Sequence, residues 1–268
     1  DGAAPVLVSS VTLDNNNDGL VDYVKAEFSE SVSDASVSGS DFVASIAADD
    51  LGTDGGDLTE AFTSLTPSSG NESDVANDEF IYVGVTDGTE TISSDKTDYT
   101  LSIASTGTVD DLNTNTSVAQ TSYVLSTDGA APIVISASTS DDSNDNGRID
   151  EIAITFSEAI DDGNSTLDAT TFTLSDSYTV SGTVTGTGDD NAVTINITEI
   201  VSGWDTDMTP DVTLVNGKVS DGVNSLTSSQ LFTGTTDGAA PVLVSSVTLD
   251  NNNDGLVDYV KAEFSESV

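Results

Sequence analysis

The chain contains no cysteine and no histidine, and its only basic residues are Lys25, Lys96, Arg148, Lys218 and Lys261. Without cysteine, no disulfide framework staples the fold and thiolate metal sites are closed. Without cysteine and histidine together, most nucleophile–base pairs of covalent catalysis lack their parts. Five bases stand against 47 acids, a formal charge of −42, so nothing basic is available to neutralise phosphates. Nucleic acid and anionic membrane surfaces are therefore excluded as direct partners. No apolar run approaches the roughly 20 residues of a membrane-spanning helix. Aromatic residues are scarce, with a single Trp, and hydrophobic residues make up 36% of the chain, so any core is lean. No Gly-rich phosphate loop follows a strand and opens a helix. Carboxylate pairs at glycosidase separations arise by chance among so many acids. The reading is that the chain is not an enzyme.

What the chain has is repetition. The stretch DGAAPVLVSSVTLDNNNDGLVDYVKAEFSESV fills residues 1–32 and returns letter for letter at 237–268. A diverged copy, DGAAPIVISASTSDDSNDNGRIDEIAITFSEAI, begins at Asp128. This predicts two complete domains, 1–127 and 128–236, followed by the first strands of a third at 237–268. A unit of that size can bury a core of its own. Residue 1 already lies inside a repeat, so a missing leader says nothing about secretion.

Each unit reads as a series of short strands. Asp-Gly-Ala-Ala-Pro is a junction and strand start, since Pro is tolerated only at a strand edge or first position. Val6 to Leu13 is a β run with a pause at Ser9-Ser10, the mark of a bulge. Val24, Ala26 and Phe28 alternate with Tyr23, Lys25 and Glu27, and Ile152, Ile154 and Phe156 repeat the pattern, one face buried and one wet. Further strands are predicted in unit one at Phe42–Ile46, Phe80–Val85, Tyr99–Ile103 and Ser122–Leu125. In unit two they are predicted at Thr171–Leu174, Tyr178–Thr185, Ala192–Ile200, Val212–Val215 and Leu231–Thr233. The acidic, Gly-rich segment near 49–79 reads as a loop-rich insertion. Hardly any segment has a helical period, so the expected fold is all-β, tandem sandwiches joined by short linkers.

The polar loop after the first strand recurs three times with one spacing. Unit one has Asp14, Asn16, Asp18, Gly19, Val21 and Asp22; unit two has Asp142, Asn144, Asn146, Gly147, Ile149 and Asp150; the third copy has Asp250, Asn252, Asp254, Gly255, Val257 and Asp258. These match positions 1, 3, 5, 6, 8 and 9 of an EF-hand-type loop: alternating oxygen ligands, a Gly for the turn, an apolar plug and another acid. Leu20, Arg148 and Leu256 would contribute backbone carbonyls. A hard cation that takes six to eight oxygens suits such a loop, and Ca2+ is the expected cofactor. Position 12, a bidentate Glu in an EF-hand, is Lys25, Ala153 or Lys261, so the remaining ligand must be water or a group from elsewhere in the fold. The expected affinity is weak, about 10⁻⁴–10⁻³ M. The competing reading is an Asn/Asp/Gly turn without metal.

A second metal position is expected at the junctions. It would draw on the Phe-Ser-Glu acids Glu30, Glu158 and Glu266, the junction acids Asp128 and Asp237, and the turn acids Asp111 and Asp221. Trp204 sits among small polar residues, either packed at a core edge or marking a sugar-binding surface. Asn71, Asn115, Asn164 and Asn196 begin Asn-x-Ser/Thr triplets, which leaves glycan modification open.

Taken together, Ala-Pro, a strand, Asp-x-Asn-x-[Asp/Asn]-Gly-x-[Val/Ile]-Asp, Phe-Ser-Glu and a late Asp-x-x-Asn turn resemble bacterial immunoglobulin-like domains of the S-layer and surface-adhesin type. The resemblance covers both units and the third copy, and its first thirty residues are the most specific part. It implies sandwiches of about seven strands, tandem arrays on a cell surface or in the extracellular space, and calcium stiffening. The expected role is structural: a repeat unit of a filament, S-layer or adhesin stalk, whose partners are further copies of the same repeat. The rival reading is a non-catalytic carbohydrate-binding or spacer module of a secreted hydrolase.

Overall fold

The computed structural model describes residues 2–45, 73–85, 100–105, 107–120, 124–140, 144, 146–186, 188–204 and 206–268. Most of the acidic insertion and Asp142, the first residue of the second expected cation loop, lie outside them. The chain divides into two compact units, Asp1–Pro132 with Val223–Ser225 and Ile133–Gly222 with Leu226–Val268. Both are built of β-strands, and among the described residues no helix is long and apolar enough to cross a membrane.

In the first unit the strands are β1 (Leu7–Leu13), β2 (Tyr23–Phe28), β3 (Phe42–Ser45), β4 (Phe80–Gly84), β5 (Thr100–Ile103) and β6 (Val124–Asp128). β1 and β2 form an antiparallel hairpin, β4 adds to the far side of β2, and β3 pairs with β5. β6 belongs to both groups. Its start pairs antiparallel with β5, and from Ser126 onward it runs parallel to β1. The sequence pattern ends this strand at Leu125, because Ser-Thr-Asp reads as linker. The strand continues because the hydroxyls of Ser126 and Ser10 satisfy each other in the buried layer at 2.7 Å.

The second unit contains β7 (Val134–Thr139), β8 (Glu151–Phe156), β9 (Phe172–Leu174), β10 (Val180–Thr185), β11 (Ala192–Ile197), β12 (Val212–Leu214) and β13 (Gln230–Phe232). One sheet has the order β10-β11-β8-β7 and the other β13-β12-β9. Among the described residues, seven strands in a four-plus-three arrangement make an immunoglobulin-like sandwich. Here too the chain after the last strand runs parallel to the first, through Ser138 and Thr236.

The period-two pattern explains the cores. Val24, Ala26 and Phe28 on β2 are buried, as are Ile152, Ile154 and Phe156 on β8. Phe28 meets Phe42 edge-on at 6.4 Å between ring centroids, and Phe156 meets Phe172 at the same separation. Each such pair contributes about 0.5–1.5 kcal/mol beyond its area burial. The expected bulge is present: the β1–β2 register shifts between Leu7 and Ser9, and the β7–β8 register shifts between Val134 and Ser136.

The two ends of the repeated cassette close on one another. Ser29 donates its N–H to the Val6 carbonyl at 2.8 Å, and Val6 N–H donates to Ser29 Oγ at 3.1 Å. Ser157 makes the same pair of bonds with Ile133, and Ser265 with Val242. The residue after the Pro therefore clasps the Ser of Phe-Ser-Glu, which ties two sequence motifs into one device.

The third copy folds into the same hairpin, β14 (Leu243–Leu249) and β15 (Tyr259–Phe264), with the same register and bulge. Its apolar face is bare. Leu7 is 2% exposed and Val24 is fully buried, whereas Leu243 and Val260 are 56% and 64% exposed.

Two predictions follow from this comparison and from the junction glycines. Leu7→Ala should cost about 2–5 kcal/mol in urea unfolding. A Cβ on Gly129 would collide with Val11 Cγ1 and lie 2.8 Å from the Thr12 carbonyl, while one on Gly2 meets nothing within 4 Å. Gly129→Ala should therefore destabilise by about 1–3 kcal/mol, and Gly2→Ala should leave the melting curve in place.

Candidate metal centre

The loop between β1 and β2 is closed before any ion is considered. Asp22 N–H donates to the Leu13 carbonyl at 2.9 Å. The Asp22 carboxylate accepts the N–H groups of Asn15 and Asn16 at 2.9 and 3.0 Å. Asp14 accepts from Asp18 N–H at 3.1 Å and Gly19 N–H at 2.7 Å. The chain reverses through Asn17 and Gly19, both at positive φ, 58° and 89°. Gly147 and Gly255 take the same conformation, at 84° and 87°. Glycine enters this left-handed region without a Cβ penalty, which accounts for its place at the sixth position. The plug residues Val21 and Ile149 are buried.

These bonds bring Asp14, Asn16, Asp18 and Asp22 together. The Asn16 amide donates to Asp18 at 3.0 Å and to Asp22 at 3.3 Å. Its NH2 group thus supplies positive hydrogens between two carboxylates. Burial lifts the Asp14 carboxyl to about 6; its backbone donors pull it down and the charges of Asp18 and Asp22 push it further up. In the third copy Asp250, Asp254 and Asp258 accept the equivalent backbone N–H groups and the Asn252 amide donates to Asp254 at 3.1 Å, all exposed to solvent.

In the second unit, Asn144, Asn146 and Asp150 are described. Arg148 stacks its guanidinium over Trp204, 4.9 Å from the ring centroid. Trp204 is 44% exposed, with one ring face taken up by Arg148 rather than open as a sugar platform. Glu199, which the spacing did not single out, reaches this loop. It accepts from Asn144 Nδ2 at 2.9 Å and from Asn146 Nδ2 at 2.9 and 3.0 Å. Asn146 Oδ1 is buried and, among the described residues, has no hydrogen-bond partner. The donor sets are all oxygen, with carboxylates, amides and carbonyls in one tight turn, and they fit a hard cation such as Ca2+. The local signal for Glu199 is faint: Ile197-Thr198-Glu199 echoes Val85-Thr86-Asp87 far from either loop in sequence.

Of the junction acids, Glu158 and Asp221 bring carboxylate oxygens within 4.8 Å of each other. Glu266 is raised by burial and by the neighbouring Asp237, to which it is hydrogen-bonded. Asp111 is buried; burial pushes it up, but the Asn115 side chain and the backbone N–H groups of Asn115 and Asn113 hold it below the usual carboxylate range. It acts as a turn staple. Glu30 lies half-buried after β2. Asp128 ends β6 and accepts the Ala130 N–H at 2.9 Å. The sequon residues Asn115 and Asn164 donate their amides to Asp111 and Asp161. Asn196 lies within β11, and Asn71 is outside the described residues.

Residues 128–236 match the family model of a bacterial Ig-like domain. No curated protein and no solved structure matches the chain.

Gly19→Ala should cost about 1–2 kcal/mol from backbone strain alone, read as a lowered melting temperature in calcium-free buffer.

Proposed function

We propose that the chain is a structural repeat segment of a long extracellular surface protein, such as a filament, S-layer or adhesin stalk, whose sandwiches are stiffened by calcium. The observation that carries this reading is the recurrence of one folded cassette: strand, oxygen-lined loop, strand and serine clasp, present three times along the chain. A catalytic domain gains nothing from an unchanged 32-residue repeat, whereas a load-bearing array gains length from each copy. The bacterial Ig-like domain at 128–236 supports a structural surface module.

Calcium supplies what the loops lack. Asp14 is buried beside Asp18 and Asp22, and burying like charges is costly unless a cation or donor compensates them. Asn16 partly fills that role through its amide hydrogens, and rotating the amide would instead offer its oxygen. Asp14, Asn16, Asp18, Asp22 and the Leu20 carbonyl would hold the ion in the first loop. Asp250, Asn252, Asp254, Asp258 and the Leu256 carbonyl are their equivalents in the third copy. The carboxylate pairs Glu158–Asp221 and Asp237–Glu266 would hold a further cation each. Copies of the same repeat are the natural neighbours of such a chain, with cations from solution offsetting the mutual repulsion of units that carry a net charge of −42.

Removing calcium from the full chain with EGTA, starting from on the order of 10 mM Ca2+, should lower the melting temperature by about 5–15 °C. Melting that is indifferent to the chelator at low salt would show the loops to be ordinary turns. Imaging of the native material should show rods with a regular two-domain repeat; compact isolated particles would sink the array reading.

A further inference from the structure

We propose that Glu199 is the remote carboxylate that completes the calcium loop of the second unit, supplying the bidentate acid that an EF-hand carries at its twelfth position. The inference rests on the calcium reading and names the ligand that the loop's own spacing leaves out. The twelfth position in this loop is Ala153, on β8, which has no donor side chain.

The fold delivers Glu199 by a neighbouring strand. β11 lies beside β8, with Asn196 opposite Glu151. At its end, Ile197 donates its N–H to the carbonyl of Asp150, the ninth loop position, at 2.8 Å. The next residue, Thr198, is held by its N–H to the Thr179 carbonyl at 2.8 Å. With both bonds made, the following side chain projects over the loop. Both carboxylate oxygens of Glu199 lie at hydrogen-bond distance from Asn146, and one also reaches Asn144. Asn144 and Asn146 occupy the third and fifth ligand positions. A carboxylate brought to two ligand side chains from another strand is placed to share their ion.

Asn146 Oδ1 points to a missing partner independently of Glu199. It is a buried acceptor with no donor among the described residues, an unfavourable state unless it is relieved. Its own NH2 group is already used on Glu199, so what remains for the oxygen is a cation or a water held by one.

The first unit carries the same device in its sequence. Val85 donates its N–H to the Asp22 carbonyl at 2.8 Å, the bond that Ile197 makes to Asp150. Counting two residues onward from Val85 gives Asp87, as counting from Ile197 gives Glu199. Asp87 lies outside the described residues. An acid at this offset in two units whose intervening sequences have diverged is what a ligand supplied across strands predicts.

The test uses the full chain with terbium(III) and calcium as probes. Trp204, the chain's single Trp, stands against Arg148 of this loop, so emission excited through it reports the second-unit site. Calcium should compete the terbium signal away. In Glu199→Gln, which keeps the shape and can still accept from the Asn amides, calcium affinity measured by this competition should fall about 10–100-fold. Glu199→Asp, with the charge on a shorter arm, should lose less. Both variants should melt in EGTA within about 2 °C of the parent, since only the loaded site is affected. An E199Q chain with parental calcium affinity, alongside a weakened Asp150→Asn, overturns the assignment while the calcium reading stands. A parent that shows neither terbium emission nor a calcium-dependent melting shift removes both.

Discussion

A serine hydroxyl and the amide after a proline hold each unit of this protein in register. Pro contributes no N–H, so the first strand begins without a donor at that residue. The residue after it exchanges two bonds with the Ser of Phe-Ser-Glu, and the hairpin is closed at its open end. Each bond contributes only about 0.5–1.5 kcal/mol net. Their larger consequence is geometric. A slip of one residue would turn Val24, Ala26 and Phe28 out to solvent and bring Lys25 and Glu27 into the core. The bulge at Val8 and the clasp together exclude that slip. The loop, the plug and the loop carboxylates all take their positions from this register.

The acids of the chain divide into those the backbone satisfies and those it leaves crowded. Asp22, Asp41, Asp111, Asp161 and Asp168 accept neighbouring N–H groups and serve as turn staples. These need no counter-ion to be structurally useful. Asp14 is also bonded to backbone, yet it sits buried beside two further carboxylates. The few bases serve packing as much as charge: Lys25 lies over Phe80 and Tyr82, and Arg148 over Trp204. The cationic component of this protein therefore has to come mainly from solution.

Local pattern carried much of the fold. The alternation on β2 and β8, the bulge in the first strand and the glycine at the loop apex are short-range features, and the structure contains all three. What escaped the pattern was long-range. β6 runs through Ser126 because a serine 116 residues earlier in the chain satisfies it in the buried layer. Gly129 reads as a junction residue, but it presses on the backbone of β1, where no side chain fits. Glu199 lies 55 residues from Asn144 in sequence, and only strand pairing brings the two together. Spacing rules describe groups that one turn brings together; they are silent on a carboxylate carried by the next strand.

The identity of residues 1–32 and 237–268 bears on how such a chain reaches its fold. Residues 33–128 cannot tell residues 1–32 from residues 237–268 by chemistry, because the two are the same. Discrimination must come from tether length: the near copy is joined directly and arrives first, and the far copy is more than a hundred residues away. Correct assembly is then a matter of timing, favoured by synthesis that starts at the N-terminal end and completes one sandwich before the next competitor emerges. Divergence of the middle copy removes one source of confusion, so that neighbouring units differ and only alternate ones match.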